Sequence, residues 1–442
     1  MNLPREDADT TESRPTETVV NFHRQASKPS KAKRIVLLQG PVGPFFNTLQ
    51  KNLSRQSFDV WRICFHPGDL AFSSSHNRIY FQHSLAEWES WFSDFVAAGD
   101  IDHIVLFGSE RNIHCVARKV AAQYGVKVIA LEEGYIRPGY ITVEYDGNNA
   151  SSPVAGMMPP KNTVSKNNEP KQYKGPRFMG LYAAIYYILR TALSVGKQKE
   201  LFHRTFSTVP DVFYWARNFS RRMLRKVCKD ATAINLINSH DGEYFLIPLQ
   251  VPTDSQMKKA AKGWNSVNLI SSTLASFAQT AAKEKHLVFK IHPLELGHNN
   301  YTQLIKKTAK AFNIQSRVHV LDSGALGPLV AHCAGMITIN STSGLSAIYH
   351  GVPLLVVGDA IYANQALATC AHGKPDFGSF WEERFVATEE VRHTYLDWLK
   401  ETSLKEGDFY NANGMHVACQ GVLEKIGGQA MSETCYQEAV VS

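Results

Sequence analysis

The chain has 442 residues, more than a single core accommodates, and about 150 residues per domain predicts two or three domains. Hydrophobic residues make up 44% and charged residues 20%, a balance that excludes a disordered, collagen-like or coiled-coil chain. The net charge of +7 is local: residues 171–230 hold 13 Lys/Arg against 3 Asp/Glu, so the rest of the chain carries a net −3. The seven cysteines are odd in number and scattered, without a CxxC pair or metal-ligand spacing, which argues against a disulfide framework or a zinc knuckle. The N-terminus lacks the basic start and apolar stretch of a signal peptide, so a reducing, cytoplasmic compartment is expected.

Residues 1–32, rich in Thr, Ser, Pro, Glu, Lys and Arg, are expected to be a disordered tail. Arg34–Gln39 then reads as a buried strand, Gly40-Pro-Val-Gly43-Pro44 as a loop and Phe45–Leu53 as a helix. The pattern recurs with a strand at Phe58–Phe65, a helix at Ala86–Ala98, a strand at Ile101–Phe107 and a helix at Arg111–Tyr124. A strand at Lys127–Leu131 follows, ending in Glu132-Glu133-Gly134. After the basic segment a second series begins with a strand at Tyr244–Leu249, a helix at Asn268–Glu284 and a strand at Leu287–Ile291 that ends in His292-Pro293. It continues with a helix at Tyr301–Phe312, a strand at Val318–Leu321 and a short helix at Ala325–Cys333. A strand at Met336–Ile339 runs into Asn340–Gly344, before a helix at Leu345–His350 and a strand at Pro353–Val357.

Strands alternating with helices predict parallel, doubly wound sheets. The fold class is therefore α/β, with two Rossmann-like domains of the two-domain glycosyltransferase type and a helical basic insert between them. The expected boundaries are 33–160 for the acceptor-side domain, 161–235 for the insert, 236–425 for the nucleotide-sugar domain and 426–442 for a tail. In such sheets ligands sit beyond the carboxyl ends of the strands, where Glu132–Gly134, His292-Pro293 and Asn340–Gly344 all fall.

Two adjacent carboxylates before a glycine are, on the motif alone, equally a solvated turn. Gly134 allows close backbone approach, and Tyr135-Ile136-Arg137 adds an aromatic platform and a cation. Paired carboxylates sharing a site raise one pKa, which suits a general base acting on an alcohol. Glu133 is the first choice, with Glu132 as its orienting neighbour. A lone histidine is more often structural, but His292 lies two positions after Lys290, so both point to one side of an extended strand. An ammonium and an imidazole there suit a phosphate leaving group. Ser341, Thr342, Ser343 and Gly344, at the start of a helix, read either as an ordinary N-cap or as an anion seat.

In order, the acid-acid-Gly, His-Pro and Ser/Thr elements are similar to the motif set of bacterial transferases that use CMP-activated sialic acid. The match narrows with Leu38–Phe46, Glu132–Pro138, Tyr140–Thr142, Pro248–Gln250, Asp254–Gln256, Thr338–Thr342 and Gly358–Tyr362. Over roughly residues 34–425 the chain resembles the capsular polysaccharide biosynthesis and export family, in its single-module β-Kdo transferase branch. Gly139 and Pro252 depart from that pattern. The resemblance implies retaining transfer of Kdo (3-deoxy-manno-octulosonic acid) from CMP-β-Kdo to a phosphatidylglycerol-type lipid, priming the capsule's lipid linker. It implies catalytic roles for Glu133 and His292, a phosphate-seat hydroxyl at Ser341, and Gln250 and Asp254 near nucleotide or sugar. Lys290, Pro293, Thr342, Ser343 and Gly344 complete the expected nucleotide side. Gln39, Gly40, Gly43, Gly134, Tyr135 and Arg137 form the expected acceptor side. No cofactor and no metal are expected, since a CMP-sugar has no diphosphate to chelate and no DxD stands in the sequence.

Residues 171–230 also carry 11 aromatics. Phe178, Leu181, Tyr182, Ile185 and Leu189 follow helical spacing, with Arg190, Arg217, Arg221, Arg222, Arg225 and Lys226 flanking the apolar faces. A basic amphipathic helix pair in the interface of an anionic membrane is the functional expectation. Linker helices packed on the core are its structural alternative, while nucleic acid is not expected because no recognised motif accompanies the charge. Arg190 makes a spanning helix expensive. The expected location is the cytoplasmic face of the bacterial inner membrane, beside other capsule proteins. The competing functions are another nucleotide-sugar enzyme on the same architecture and a non-catalytic assembly or export factor.

Overall fold

The computed structural model describes residues 32–161, 163, 172–174, 177–201, 231–251, 260–292, 300–371 and 373–427. Residues 1–31 and 428–442 of the expected tails and the stretch 202–230, with Arg217 to Lys226, lie outside the described residues, as do Asp254 and Pro293.

The first sheet contains β1 (Arg34–Leu37), β2 (Asp59–Cys64), β3 (Arg78–Tyr80), β4 (His103–Phe107), β5 (Lys127–Glu133) and β6 (Tyr140–Tyr145). Its helices are α1 (Phe45–Arg55), α2 (Pro67–Ala71), α3 (Leu85–Gly99) and α4 (Asn112–Tyr124). Helix α5 (Met179–Leu193) follows, then α6 (Ala231–Ser239) leads into the second sheet. That sheet uses β7 (Tyr244–Pro248), β8 (His286–Lys290), β9 (Val318–Leu321), β10 (Gly335–Thr338), β11 (Leu354–Val356) and β12 (Thr369–Cys370). Between and after these run α7 (Ser266–Thr280), α8 (Tyr301–Ala311), α9 (Leu326–Ala331), α10 (Gly344–His350), α11 (Phe377–Glu382) and α12 (Glu389–Ser403). The described chain closes with β13 (Leu404–Glu406) and α13 (Ala412–Ile426).

Both sheets are buried on two faces, which is why their central strands read as unbroken apolar runs. In the first sheet Ile129 and Leu131 pack against α1 and α13, while Val128 and Ala130 pack against α3 and α4. In the second, Leu246 and Val288 face α6, α10 and α12, and Phe245 and Phe289 face α7, α8 and α11. The strand orders are β13-β6-β5-β4-β1-β2-β3 and β12-β11-β10-β7-β8-β9. Strand order therefore reverses between β1 and β4 in one sheet and between β7 and β10 in the other, and loops part at these points to leave a crevice. Two Rossmann-like domains are thus present. No disulfide joins the described cysteines.

The last elements depart from the expected boundaries. Residues expected to end the second domain return to the first: β13 pairs antiparallel with β6, Leu404 opposite Thr142, and α13 buries Met415, Ala418, Cys419 and Val422 against the first sheet. The physical reason is that β6 leaves a sheet edge and an apolar face uncovered until β13 and α13 arrive.

A second tie runs through buried polar groups. Asn149, at φ 51°, donates its Nδ2 to the Asn340 carbonyl (3.2 Å) and accepts at Oδ1 from the Ile361 N–H (2.9 Å). Its own N–H is donated to the Tyr135 hydroxyl, which donates in turn to Glu144. Asn149→Ala removes the bonds to the Asn340 carbonyl and the Ile361 N–H, at roughly 1–3 kcal/mol for each buried bond lost. The expected outcome is a lower urea midpoint and faster proteolysis between the domains, measured against the wild-type chain.

Candidate functional site

A cleft of about 820 Å³ opens where the two domains face each other. The first domain contributes Tyr135, Ile136 and Arg137; the second contributes Gln250, Lys290 and His292, with the hydroxyls of Ser341, Thr342 and Ser343. The floor is the switch point between β7 and β10. Gln250, just after β7, pairs with Asn340, just after β10, through Nε2 to Oδ1 (2.8 Å) and through the Asn340 N–H to Oε1 (3.2 Å). This two-point amide pair fixes the Ser341–Ser343 loop. Gln250 therefore faces the cleft as expected, but its amide is already committed to holding the loop.

The serine loop differs from the expected anion seat. The N–H groups of Ser343, Gly344, Leu345 and Ser346 bond within the loop, to Ser341 Oγ and to the carbonyls of Ser341, Thr342 and Ser343. What the loop offers a phosphate is its hydroxyls, with Ser343 Oγ donating to Ser341 Oγ at 2.8 Å. Gly344 is a packing glycine: a Cβ there would meet the Tyr362 hydroxyl at 2.2 Å, and Tyr362 is wholly buried.

Lys290 ends β8, and both it and His292 line the cleft. Lys290 is buried, with its Nζ 3.4 Å from the Ile291 carbonyl. Three further basic side chains on the wall, His350, His393 and Lys400, escape sequence reasoning because they come from α10 and α12, outside any motif. Lys400 pairs with Asp397 at 2.7 Å. Among the described residues the wall thus carries Arg137, Lys290 and Lys400 against one carboxylate, Asp397.

The adjacent acids do not share a site. β5 extends through both, with Glu132 opposite Thr142 and Glu133 opposite Ile141, so the strand's alternation sends them to opposite faces. Glu132 lies toward the Gly108 turn, where its Oε2 is 3.7 Å from a Cβ built on that glycine. It cannot orient Glu133. That work falls to Arg137, whose guanidinium lies 3.8 Å from its carboxylate, with the Tyr410 phenol close enough to feel the Glu133 charge. Burial, then the Glu133 charge, push the Tyr410 phenol well above its ordinary value, so it is a proton donor throughout the working range. Tyr410 comes from the returning C-terminal segment, and nothing in its local sequence marks it. Arg137 joins Glu133 to the cleft wall.

Gly134 and Tyr135 serve the fold more than a ligand. A Cβ on Gly134 would meet the Tyr140 carbonyl at 2.2 Å, so backbone, not substrate, occupies the space beside it. Tyr135 is buried, with its hydroxyl engaged by Glu144 and Asn149. Burial pushes the Glu144 carboxyl up, against the hydroxyls of Ser152 and Tyr135.

The expected acceptor-side loop is covered. Gln39 is buried, accepts from Arg111 (2.8 Å) and lies 3.1 Å from His66 Nε2. A Cβ on Gly40 would meet the Phe46 ring at 2.7 Å, and one on Gly43 the Tyr182 ring of α5 at 2.5 Å. Below them Tyr186 donates to Asp69 (2.8 Å), which also accepts from the Phe65 N–H (3.0 Å). Burial opposes the Asp69 charge, yet His66 and these donors hold its carboxyl below the usual range. The first sheet's own switch-point crevice is thus filled by side chains.

The assembly is a two-Rossmann, GT-B-type protein with an electropositive interdomain cleft. The chain belongs to the family described as Capsule polysaccharide biosynthesis protein, whose match covers residues 102–410. It is 31% identical over 360 residues to the Capsule polysaccharide export protein KpsS of Escherichia coli, covering 80% of this chain and 90% of that one. It is 28% identical over 393 residues to the Capsule polysaccharide modification protein LipB of Neisseria meningitidis serogroup A, covering 86% and 92%. Among solved structures, the beta Kdo 2,7 transferase KpsC of Thermosulfurimonas dismutans aligns over 89% of this chain and 99% of that one, at 12% identity and a TM-score of 0.42.

Gly344→Ala forces Tyr362 or the loop to move and is expected to cost about 1–3 kcal/mol as overpacking. Denaturant unfolding reads the stability loss, and nucleotide binding should weaken with it because the Ser341–Ser343 hydroxyls shift.

Proposed function

We propose that this chain transfers Kdo from CMP-β-Kdo to a phosphatidylglycerol-type lipid with retention of configuration, priming the lipid linker of a bacterial capsule. The observation that carries the reading is the pairing of two features: a cation-walled interdomain cleft and a carboxylate, Glu133, held at its edge by Arg137 and Tyr410. Membership of the capsule polysaccharide biosynthesis family supports it.

In this reading the bond between the Kdo anomeric carbon and the CMP phosphate breaks, and CMP leaves with the electron pair. Lys290, His292 and the serine-loop hydroxyls neutralise the phosphate as its charge grows. Glu133 stabilises the positive charge on the sugar and takes the proton of the attacking lipid hydroxyl. Arg137 and Tyr410 stand beside it. A nucleoside monophosphate has one phosphate to balance, which the wall cations and hydroxyls can match without a metal or other cofactor. His350 and Lys400 stand on the same wall to receive the sugar's own carboxylate.

The acceptor brings the membrane into the proposal. Among the described residues no helix is long and apolar enough to cross a membrane. Helix α5 has two faces instead. Tyr182, Tyr186 and Arg190 turn inward: Tyr186 bonds Asp69, and Arg190, expected to flank an apolar face, is buried with its guanidinium 4.8 Å from the Tyr187 ring. Leu181, Ile185 and Ile188 form an exposed stripe one to two turns long on the other side. Laid on the cytoplasmic face of the inner membrane, that stripe would present lipid headgroups beside the neighbouring Tyr187. A peripheral location next to other capsule proteins follows.

Incubation with CMP-Kdo generated in situ and a fluorescent phosphatidylglycerol analogue should give a product one Kdo heavier by mass spectrometry. Glu133→Gln and His292→Ala should each lower its yield by about 10²–10⁴-fold while the melting temperature is retained. No product from the wild-type chain beside an active donor-synthesis control overturns the proposal. Retained capsule formation in cells carrying both variants favours the export role that the name of the Escherichia coli relative describes.

Flotation with phosphatidylglycerol vesicles tests the membrane face. Leu181→Glu with Ile188→Glu should abolish co-flotation and leave turnover of a detergent-soluble acceptor unchanged.

A further inference from the structure

The second domain gathers three histidines at the end of its sheet opposite the cleft. His286 is the first residue of β8, and His319 in β9 pairs with Val288, so both project from one face of the parallel pair. That face is the one covered by α6, whose Leu236 packs with Val288. The turn leaving α6 places His240 against them: its ring centroid is 3.8 Å from that of His286 and 5.8 Å from that of His319. His286 Nδ1 and His319 Nε2 are 3.0 Å apart. One ring nitrogen from each residue falls within 4.8 Å of the others. Since β8 runs from His286 to Lys290, the cluster lies about 13 Å along the strand from the cleft, at 3.3 Å per residue.

We infer that His240, His286 and His319 form a binding site for one divalent transition metal of the zinc class, separate from the interdomain cleft. Nitrogen ligands 2.0–2.1 Å from a tetrahedral zinc sit about 3.4 Å from one another, so the trio closes on an ion by movements on the order of 1 Å. All three side chains are partly exposed and can make them. Imidazole is a donor suited to zinc, nickel and copper, whereas calcium and magnesium take oxygen.

The surroundings supply the outer partner such a site uses. Glu243 Oε2 lies 3.5 Å from His240 Nδ1, the carboxylate contact that fixes a histidine tautomer and frees Nε2 for a metal. The turn is anchored to the strand by the His286 N–H, donated to the Glu243 carbonyl at 3.0 Å. The nearby cation, Arg317, is engaged elsewhere, with its guanidinium on the Ala282 carbonyl (2.8 Å) and over the Phe277 ring (4.8 Å). Water completes the coordination. The ion's effect is to tie the end of α6, the helix that follows the basic segment, to the starts of β8 and β9. The site is hidden in the sequence because its ligands are far apart and obey no local spacing.

The test uses the full-length chain purified without a histidine tag and stripped with chelator. Isothermal titration with zinc sulfate should show one saturable site, zinc should raise the melting temperature, and bound cobalt should show tetrahedral visible absorption. His286→Ala and His319→Ala should each weaken zinc binding at least a hundredfold. Glu243→Gln should weaken it about 10–100-fold. His332→Ala, in the neighbouring ion pair with Asp241, should leave it unchanged. His319→Gln keeps a hydrogen-bonding side chain and decides the matter if an alanine variant fails to fold. The inference is overturned if the intact chain shows no saturable zinc binding, or if the His286 and His319 variants bind as the wild type does.

Discussion

The relative placement of the two sheets rests on one left-handed residue. Asn149 takes a backbone conformation that is costly for most side chains and tolerable for asparagine. In return, every polar group it presents to the interface is used. The chain of bonds runs from Glu144 to Tyr135, through Asn149 to Asn340, and from Asn340 to Gln250. It begins in the first domain's antiparallel strand and ends at the second domain's switch point, so the two walls of the cleft are referenced to each other by hydrogen bonds with directional geometry. Apolar contact alone fixes separation but tolerates sliding; amide pairs tolerate neither. The antiparallel β13 adds the other tie, at the level of a strand.

A second constraint decides which of the two crevices is free. Each doubly wound sheet opens at a strand-order reversal, and the protein has two such points. In the first sheet, α5 lays Tyr182 on Gly43 and Tyr186 on Asp69, and the Gln39–Arg111 bond fills what is left. In the second, the Gln250–Asn340 pair fills only the floor and leaves the space above it open between the domains. One helix therefore both closes the first crevice and, through its opposite face, exposes Leu181, Ile185 and Ile188. Changing its inward residues would move its outward stripe, because both are faces of the same rigid 15-residue element.

The parts legible in the sequence are those fixed by local pattern. Runs such as Ile35-Val-Leu37 and Phe245-Leu-Ile247 declare strands buried on both faces, and their strand-end loops locate Lys290, His292 and Ser341–Ser343 on the cleft. What stays hidden depends on distant chain. Whether β5 stops at Leu131 or runs to Glu133 is set by its pairing with β6, and that one difference separates Glu132 from Glu133. The glycines at 40 and 43 look like a ligand loop, but Phe46 covers the first and a helix more than a hundred residues later packs on the second. Tyr410 reaches Glu133 only because the C-terminal segment recrosses to the first sheet, a topological fact without a local signature. Three histidines on separate elements converge for the same reason.

The charge arithmetic acquires a finer meaning from these placements. Outside residues 171–230 the chain is slightly acidic, yet among the described residues the cleft wall holds three full cations to one carboxylate, with three histidines among them. Cations set in a low-dielectric recess concentrate field more than the same charges spread over a surface, so the local sign and not the chain's total governs what enters. The serine loop refines that selection. Because the N–H groups of Ser343 to Ser346 are consumed internally, it would meet an anion chiefly with rotatable hydroxyls, which adapt to a single phosphate but do not form the rigid cradle that envelops a chain of phosphates. Attraction is therefore general for anions, and discrimination rests on the few groups whose positions the Asn149 chain holds fixed.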